Sequence, residues 1–244
     1  LREGHPLTGK IMKDANGEPV YEPGLLKGVK GIGWYIEEYG IAQLSFNITD
    51  TTQVSLHQLF EVACERAAVR GIRVTGSELV GVVPLQMMLD TGKYFLRKQK
   101  RSTGISDEDI LKIAVKSLGL DELTPFDPQR KIIEYLIGND DKKLVDMSVK
   151  HFTQLTASES VAPGGGSVSA CMGAMGAALG TMVANLSSHK KGWEHQWEEF
   201  SAWADKGKCY YEELLLLVDE DTRAYNGIIA AFGLPKSTEH EKER

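Results

Sequence analysis

Two short segments of this chain hold residue types that can do chemistry. Pro163-Gly164-Gly165-Gly166-Ser167 leads straight into a run of small residues. Three glycines can turn their amide N–H groups inward, and a helix N-terminus adds partial positive charge. Such a loop can cradle a phosphate or a carboxylate. It is not a Walker A loop, because Gly166-Ser167-Val168 lacks the Lys-Ser/Thr that must follow the glycines. The plainer alternative is a flexible entry into a tightly packed helix. The second segment is Val218-Asp219-Glu220-Asp221, set in a helical pattern after an apolar run. Residues two apart on a helix do not share a face, so at most one of Asp219 and Asp221 follows the apolar face inward easily. A partly buried aspartate there can act as general acid or base. The alternative is a solvated acidic turn.

Other signals are weaker. Gly31-Ile32-Gly33-Trp34 lacks the Gly-x-x-Gly spacing of a dinucleotide fingerprint. Trp34 can stack on a flat heterocycle while Gly33 lets a ligand lie against backbone. It can equally be a core tryptophan beside a turn. His57 reads as a core-edge histidine, and His151, His189, His195 and His240 have no evident partners. No metal spacing and no Ser-His-Asp order is present. Cys64, Cys171 and Cys209 are far apart with no Cys-x-x-Cys, which argues against a disulfide scaffold and a thiolate zinc knuckle. Each is expected to fill apolar space in a reducing compartment, the cytoplasm.

The elements that must position these residues change character near residue 140. Before it, strand-like and helix-like segments alternate. Residues 41–48 alternate as a half-buried strand. Asp50-Thr51-Thr52 can cap a helix that ends near Gly71. Residues 77–83 form another strand candidate, 85–94 a short helix, and Ser106-Asp107-Glu108-Asp109 an N-cap with an acidic first turn. Residues 132–137 suit either a helical turn or a strand. This pattern predicts a small α+β sandwich over residues 1–137. Residues 138–143 make a polar linker. From 144 to 244 the chain reads as all-α, with a small-residue helix over 167–186 and a helical run over 193–232, broken near Gly207. So many small residues let another backbone approach closely, which predicts tight helix packing within the chain or across a dimer.

The 244 residues are 42% hydrophobic and 25% charged, the balance of a soluble globular protein. The net charge of −6 argues against a coat for nucleic acid or an anionic membrane. Residues 160–188 are long and uncharged enough to invite a membrane reading. Their Gly, Ala and Ser content and the break at Pro163 favour a buried helix instead. No signal peptide opens the chain. Leu1 and the charged run ending at Arg244 read as a segment of a longer product.

In combination these motifs resemble the bifunctional formiminotransferase-cyclodeaminase family. The likeness lies in Gly28-Val29-Lys30-Gly31-Ile32-Gly33-Trp34-Tyr35, in Ala42-Gln43-Leu44-Ser45 with Asn47-Ile48-Thr49-Asp50, and in Gly76-Ser77-Glu78-Leu79-Val80-Gly81-Val82-Val83-Pro84-Leu85. It continues through Arg130-Lys131-Ile132-Ile133-Glu134-Tyr135-Leu136, Ala162-Pro163-Gly164-Gly165-Gly166-Ser167-Val168, Met175-Gly176-Ala177-Ala178-Leu179-Gly180 and the acidic turn. The resemblance implies a transferase C-terminal subdomain followed by the start of a cyclodeaminase domain. It implies tetrahydrofolate, polyglutamylated, as co-substrate, N-formimino-L-glutamate as formimino donor, and a homo-oligomer. It places Ile32, Gly33 and Trp34 in a folate-contacting loop and makes an aspartate of the acidic helix catalytic, Asp221 ahead of Asp219. It suggests Gly164, Gly165 and Gly166 as holders of a pterin carbonyl or a glutamate carboxylate, and Lys190 and Lys191 as contacts for the folate tail. The transferase histidine of the family belongs to a preceding subdomain, and His57 does not stand in for it. The rival readings are a methenyltetrahydrofolate cyclohydrolase-like enzyme, a non-catalytic folate-binding or assembly fragment, and a ligand-free helix bundle.

Overall fold

A computed structural model describes residues 10–20, 24–138 and 143–233. Most of the 138–143 linker, and His240, lie outside the described residues.

The first half is α+β. Strands β1 (Val29–Ile36) and β2 (Ile41–Ile48) pair antiparallel, with Gly31 opposite Phe46, Gly33 opposite Leu44 and Trp34 opposite Gln43. Helices α1 (Leu56–Val69), α2 (Leu85–Lys98) and α3 (Asp107–Leu118) follow, then two short helices, α4 (Pro128–Lys131) and α5 (Ile133–Ile137). The core lies between α2 and α3. Met88, Ile110, Ala114 and Ile132 are completely buried there, with Leu56 and Phe60 of α1 packed against its edge.

Two expectations for the first half are corrected. Ser55, not the 50–52 segment, caps α1. Its hydroxyl accepts from Gln58 N while the Gln58 side chain accepts from Ser55 N, a reciprocal capping box. Residues 77–83 form no strand. Only Val83 bridges, to Ile132, and Val80 and Val82 are exposed. Among the described residues no strand runs alongside them, and the Lys131 ammonium donates to the Leu79 and Val80 carbonyls instead. The described sheet therefore has two strands. The acidic first turn of α3 appears as expected, capped by Ser106 and closed by Gly119 at φ 65°.

The second half is helical: a 3-10 turn at Leu144–Asp146, α6 (Val149–Thr156), α7 (Gly165–Ser187), a 3-10 turn at Glu194–Gln196 and α8 (Trp197–Phe232). Helices α7 and α8 pack along their length. The buried residues of α7 are Ser167, Ala174, Thr181 and Ala184, and its buried C-cap Ser188 continues the seven-residue spacing of the first three. Those of α8 are Ser201, Ala204, Lys208 and Val218. A spacing of three to four and seven is the seam of a paired-helix interface, and small side chains bring its axes close. No break occurs at Gly207. A Cβ there would stand 2.3 Å from Thr181 Oγ1, so the glycine is a contact point between helices rather than a hinge. By length and composition α7 is apolar enough to cross a membrane. It is not the buried helix its sequence suggests, because one side packs on α8 while Met172, Met175, Leu179, Met182 and Leu186 stay exposed. Cys209 is likewise exposed rather than packed.

A buried polar latch joins the halves. Ser102 Oγ donates to Asn185 Oδ1 at 2.5 Å, and Asn185 Nδ2 donates to Gly104 O at 2.7 Å. Thr103 N donates to Ser201 Oγ at 3.1 Å and Thr103 Oγ1 to Asp205 Oδ2 at 2.6 Å. The Lys208 ammonium, itself buried, donates to Asp107. The latch holds the end of α8 opposite to the acidic turn, and at 1.5 Å per residue Asp205 and Asp221 are about 24 Å apart along the helix.

Candidate functional site

Helix α7 starts without a side-chain cap from its own segment: Gly164 is the N-cap residue and has no side chain to offer. The first N–H groups of a helix have no partner inside it. Asp221 of α8 supplies what is missing. Its Oδ2 accepts from Ser167 N at 2.8 Å and from Ser167 Oγ at 2.9 Å, across 54 residues of sequence. Ser167 Oγ also lies 3.2 Å from Thr222 Oγ1. The carboxylate rests on Gly166: a Cβ there would stand 2.1 Å from Asp221 Oδ1 and 2.5 Å from its Cγ. Only glycine at this position leaves the carboxylate room.

Asp221 reaches this place because it lies three residues after Val218, on the face that α8 turns to α7. Val218 is 1% exposed, and Asp221 and Thr222 follow it on the same stripe. Asp219 sits off that stripe and serves another segment. Its Oδ1 accepts from Leu144 N at 2.6 Å and so ties the start of the second half to α8. The two acids of one turn therefore hold two different pieces of backbone.

A cavity of about 250 Å³ opens beside the loop, lined by Val161, Ala162, Gly164, Gly165, Gly166, Asp221, Thr222 and Tyr225. The loop enters through a cis Ala162–Pro163 bond. One carboxylate, one hydroxyl pair, the N–H groups of the helix start and a tyrosine thus meet in a half-enclosed space. Such a set can accept a proton, return it, and hold a carbonyl against backbone amides. Thr222 and Tyr225 are not among the sequence candidates, and Ser167 enters there only as the end of the glycine loop. Their spacing carries the signal, since Thr222 and Tyr225 lie one and four residues beyond Asp221, and Ser167 begins the seven-residue stripe of α7.

Ile32, Gly33 and Trp34 are not part of this cavity. They lie on β1, where Ile32 is 67% and Trp34 44% exposed. Trp34 is therefore not a core tryptophan. His57 stands elsewhere too. It lines a separate groove with Lys93, Tyr94 and Arg97, its ring stacked on Tyr94 with centroids 4.2 Å apart. Burial pushes its pKa below the ordinary value, while Asp90 and Glu61 pull it back up. Among the described residues no group of three or more His, Cys, Asp or Glu side chains is gathered to hold a metal.

Comparison with known proteins gives two family matches along the chain. The formiminotransferase domain model matches residues 5–138, and the formiminotransferase-cyclodeaminase model matches residues 148–244. Formimidoyltransferase-cyclodeaminase of Gallus gallus is 41% identical over 242 residues, which is 98% of this chain and 44% of that protein. The protein of the same name from Mus musculus is 36% identical over 244 residues, 99% of this chain and 44% of its own length. A methenyltetrahydrofolate cyclohydrolase of Methylorubrum extorquens is 35% identical over 95 residues, covering 39% of this chain and 46% of that enzyme. The chain spans less than half the length of the two-part relatives. With its longer part matched by the first model and the remainder by the second, the chain belongs to the formiminotransferase-cyclodeaminase family.

Proposed function

We propose that the chain is part of a folate-dependent cytoplasmic enzyme of histidine breakdown that joins two steps. In the first, the formimino group of N-formimino-L-glutamate moves to tetrahydrofolate. In the second, 5-formiminotetrahydrofolate closes to 5,10-methenyltetrahydrofolate and ammonia leaves. The names of the relatives matched along nearly the whole chain support this reading, with a transferase part over 1–137, a cyclodeaminase part over 144–244, and 138–143 between them.

The observation that carries the second step is the Asp221 carboxylate, set on Gly166 at the cavity edge. Ring closure requires N10 to attack the formimino carbon on N5. N10 must lose a proton, and the departing nitrogen must gain one. A single carboxylate beside the reacting atoms can carry that proton from one nitrogen to the other, an effect worth roughly 10²–10⁴ in rate. Asp221 takes this role, and Asp219, engaged with Leu144 N, does not. The Gly165 and Gly166 amides hold a neutral pterin carbonyl in preference to a glutamate carboxylate, because Asp221 already places negative charge on that helix end. The exposed Ile32 and Trp34 suit a flat folate ring in the transferase part, with Gly33 between them. Lys190, whose ammonium lies 4.3 Å from the Trp193 ring centroid, and Lys191 suit the carboxylates of a polyglutamate tail. The exposed apolar side of α7 suits a homo-oligomer.

The similarity to a cyclohydrolase favours a second reading, in which the helical part hydrolyses methenyltetrahydrofolate. One assay separates the readings. Formation of 5,10-methenyltetrahydrofolate from 5-formiminotetrahydrofolate, followed by its near-ultraviolet absorbance, is expected with the wild-type chain and lost with Asp221→Ala. A folded wild-type chain that only consumes the methenyl compound supports the cyclohydrolase. One that does neither rules out an active site in these residues.

A further inference from the structure

Asp221 is held asymmetrically. Both donors of Ser167 reach Oδ2, at 2.8 and 2.9 Å, and no donor among the described residues reaches Oδ1. The direction of these bonds is fixed by chemistry. An ionised carboxylate only accepts, so the Ser167 hydroxyl must donate to it. The lone pairs of that hydroxyl are then free to accept from Thr222, 3.2 Å away. Ser167 is fully buried, so its hydroxyl has no water to turn to. A chain of donors, Thr222 to Ser167 to Asp221, results.

We infer that Ser167 is a positioning residue for proton transfer by Asp221. Two donors fill the lone-pair sites of Oδ2, and the proton therefore travels through Oδ1, the oxygen lying over Gly166. This rests on the cyclodeaminase reading above. The formimino nitrogen enters protonated, as the amidinium C=NH2⁺. As the N10 lone pair forms the new N10–C bond, the C=N π pair moves onto that nitrogen and leaves it an amine, and the N10 proton passes to Oδ1. As the bond from that carbon to the departing nitrogen breaks, its electron pair leaves with nitrogen and Oδ1 returns the proton. Ammonia departs, the carboxylate ends as it began, and no oxidant or reductant is needed. A swivelling carboxylate would spend part of its time with the wrong oxygen presented, and the Ser167 hydroxyl prevents this.

The test uses Ser167→Ala, Thr222→Ala and Asp221→Asn in the full chain. Rates of methenyltetrahydrofolate formation and thermal midpoints are read for each. Ser167→Ala keeps the backbone bond and loses the hydroxyl, so kcat is expected to fall on the order of tenfold with KM little changed. Thr222→Ala removes only the group that orients that hydroxyl, and a fall of about threefold is expected. Added to Asp221→Asn, Ser167→Ala should lower the residual rate no further, because its effect runs through the carboxylate. A merely structural role would lower the midpoint and cut the rate in both backgrounds, which would overturn the inference. Wild-type kcat in both Ser167→Ala and Thr222→Ala would overturn it as well, while loss of activity in Asp221→Asn would leave the reading of Asp221 intact. Full activity in Asp221→Asn would instead sink that reading.

Discussion

The chain has two glycine motifs that invite a ligand, and the structure uses their glycines differently. On β1, Gly31 and Gly33 face Phe46 and Leu44 of the neighbouring strand. A Cβ at either would come within 3.0 Å of those side chains. The room is filled by the sheet's own cross-strand partners, while Ile32 and Trp34 project outward. At the start of α7, Gly166 makes room for a carboxylate that arrives from another helix. A glycine reports that something comes close to the backbone. It does not report whether the visitor is a strand neighbour, a distant acid or a ligand. The difference also sets how forgiving each site is. Leu44 is 57% exposed and can turn aside, whereas the Asp221 carboxylate is pinned by two hydrogen bonds.

The sharpest way to break this comparison is to add the same methyl group to both motifs. Gly166→Ala must expel the carboxylate or shift α7, and is expected to cost about 1–3 kcal/mol of stability, with cyclodeaminase activity falling on the order of 100-fold. Gly33→Ala is expected to cost less than about 1 kcal/mol, because only the tip of Leu44 needs to move. Thermal melts of the two variants side by side decide it, and equal losses would show that the motifs do not differ as described. A second test divides the acidic turn. Asp219→Ala removes the bond to Leu144 N and should cost about 1–2 kcal/mol while kcat stays within about twofold of wild type. A collapse of kcat matching Asp221→Ala would undo the separation of the two acids.

The smallest effect concerns the first half alone. Burial holds the His57 pKa below its ordinary 6.5, against the opposing pull of Asp90 and Glu61. The folded chain thus binds fewer protons than the unfolded one between the lowered value and 6.5. Stability from this group is complete above pH 6.5 and is lost as pH falls through the folded value. Melting wild type and His57→Gln at pH 7.5 and about 5.5 should show a smaller acid-induced drop in the variant. The activity of the folded chain at neutral pH should be unchanged, since His57 does not line the Asp221 cavity. An equal drop in both proteins would remove His57 as a source of acid sensitivity.

Much of the local architecture is legible residue by residue. Ser106 followed by three acids announces α3, and Gly119 ends it in the left-handed conformation. The alternation over 41–48 becomes β2. The small-residue run becomes α7, and the long helical pattern becomes α8. Failures occur where local pattern competes with available partners. Residues 77–83 have strand composition, but among the described residues no strand lies alongside to pair with them. Gly207 looks like a helix breaker on propensity, yet contact with Thr181 keeps it inside α8. Asp50-Thr51-Thr52 has capping residues, but Ser55 stands three residues before Gln58 and completes the reciprocal box.

The candidate site follows the same rule. The sequence by itself determined which groups exist: a glycine loop opening a small-residue helix, and two acids in one turn of another. It also determined that the two acids diverge, because helical geometry is local and turns side chains by about 100° per residue. Only the tertiary structure decided where each acid goes. Asp221 caps α7 through Ser167, and Asp219 anchors Leu144, because antiparallel packing of α7 on α8 joins residues 54 apart and the return of the chain at Leu144 joins residues 75 apart. Pairings at that range depend on helix register, which side-chain volumes along the whole seam set together. The short motifs at its end carry no record of it.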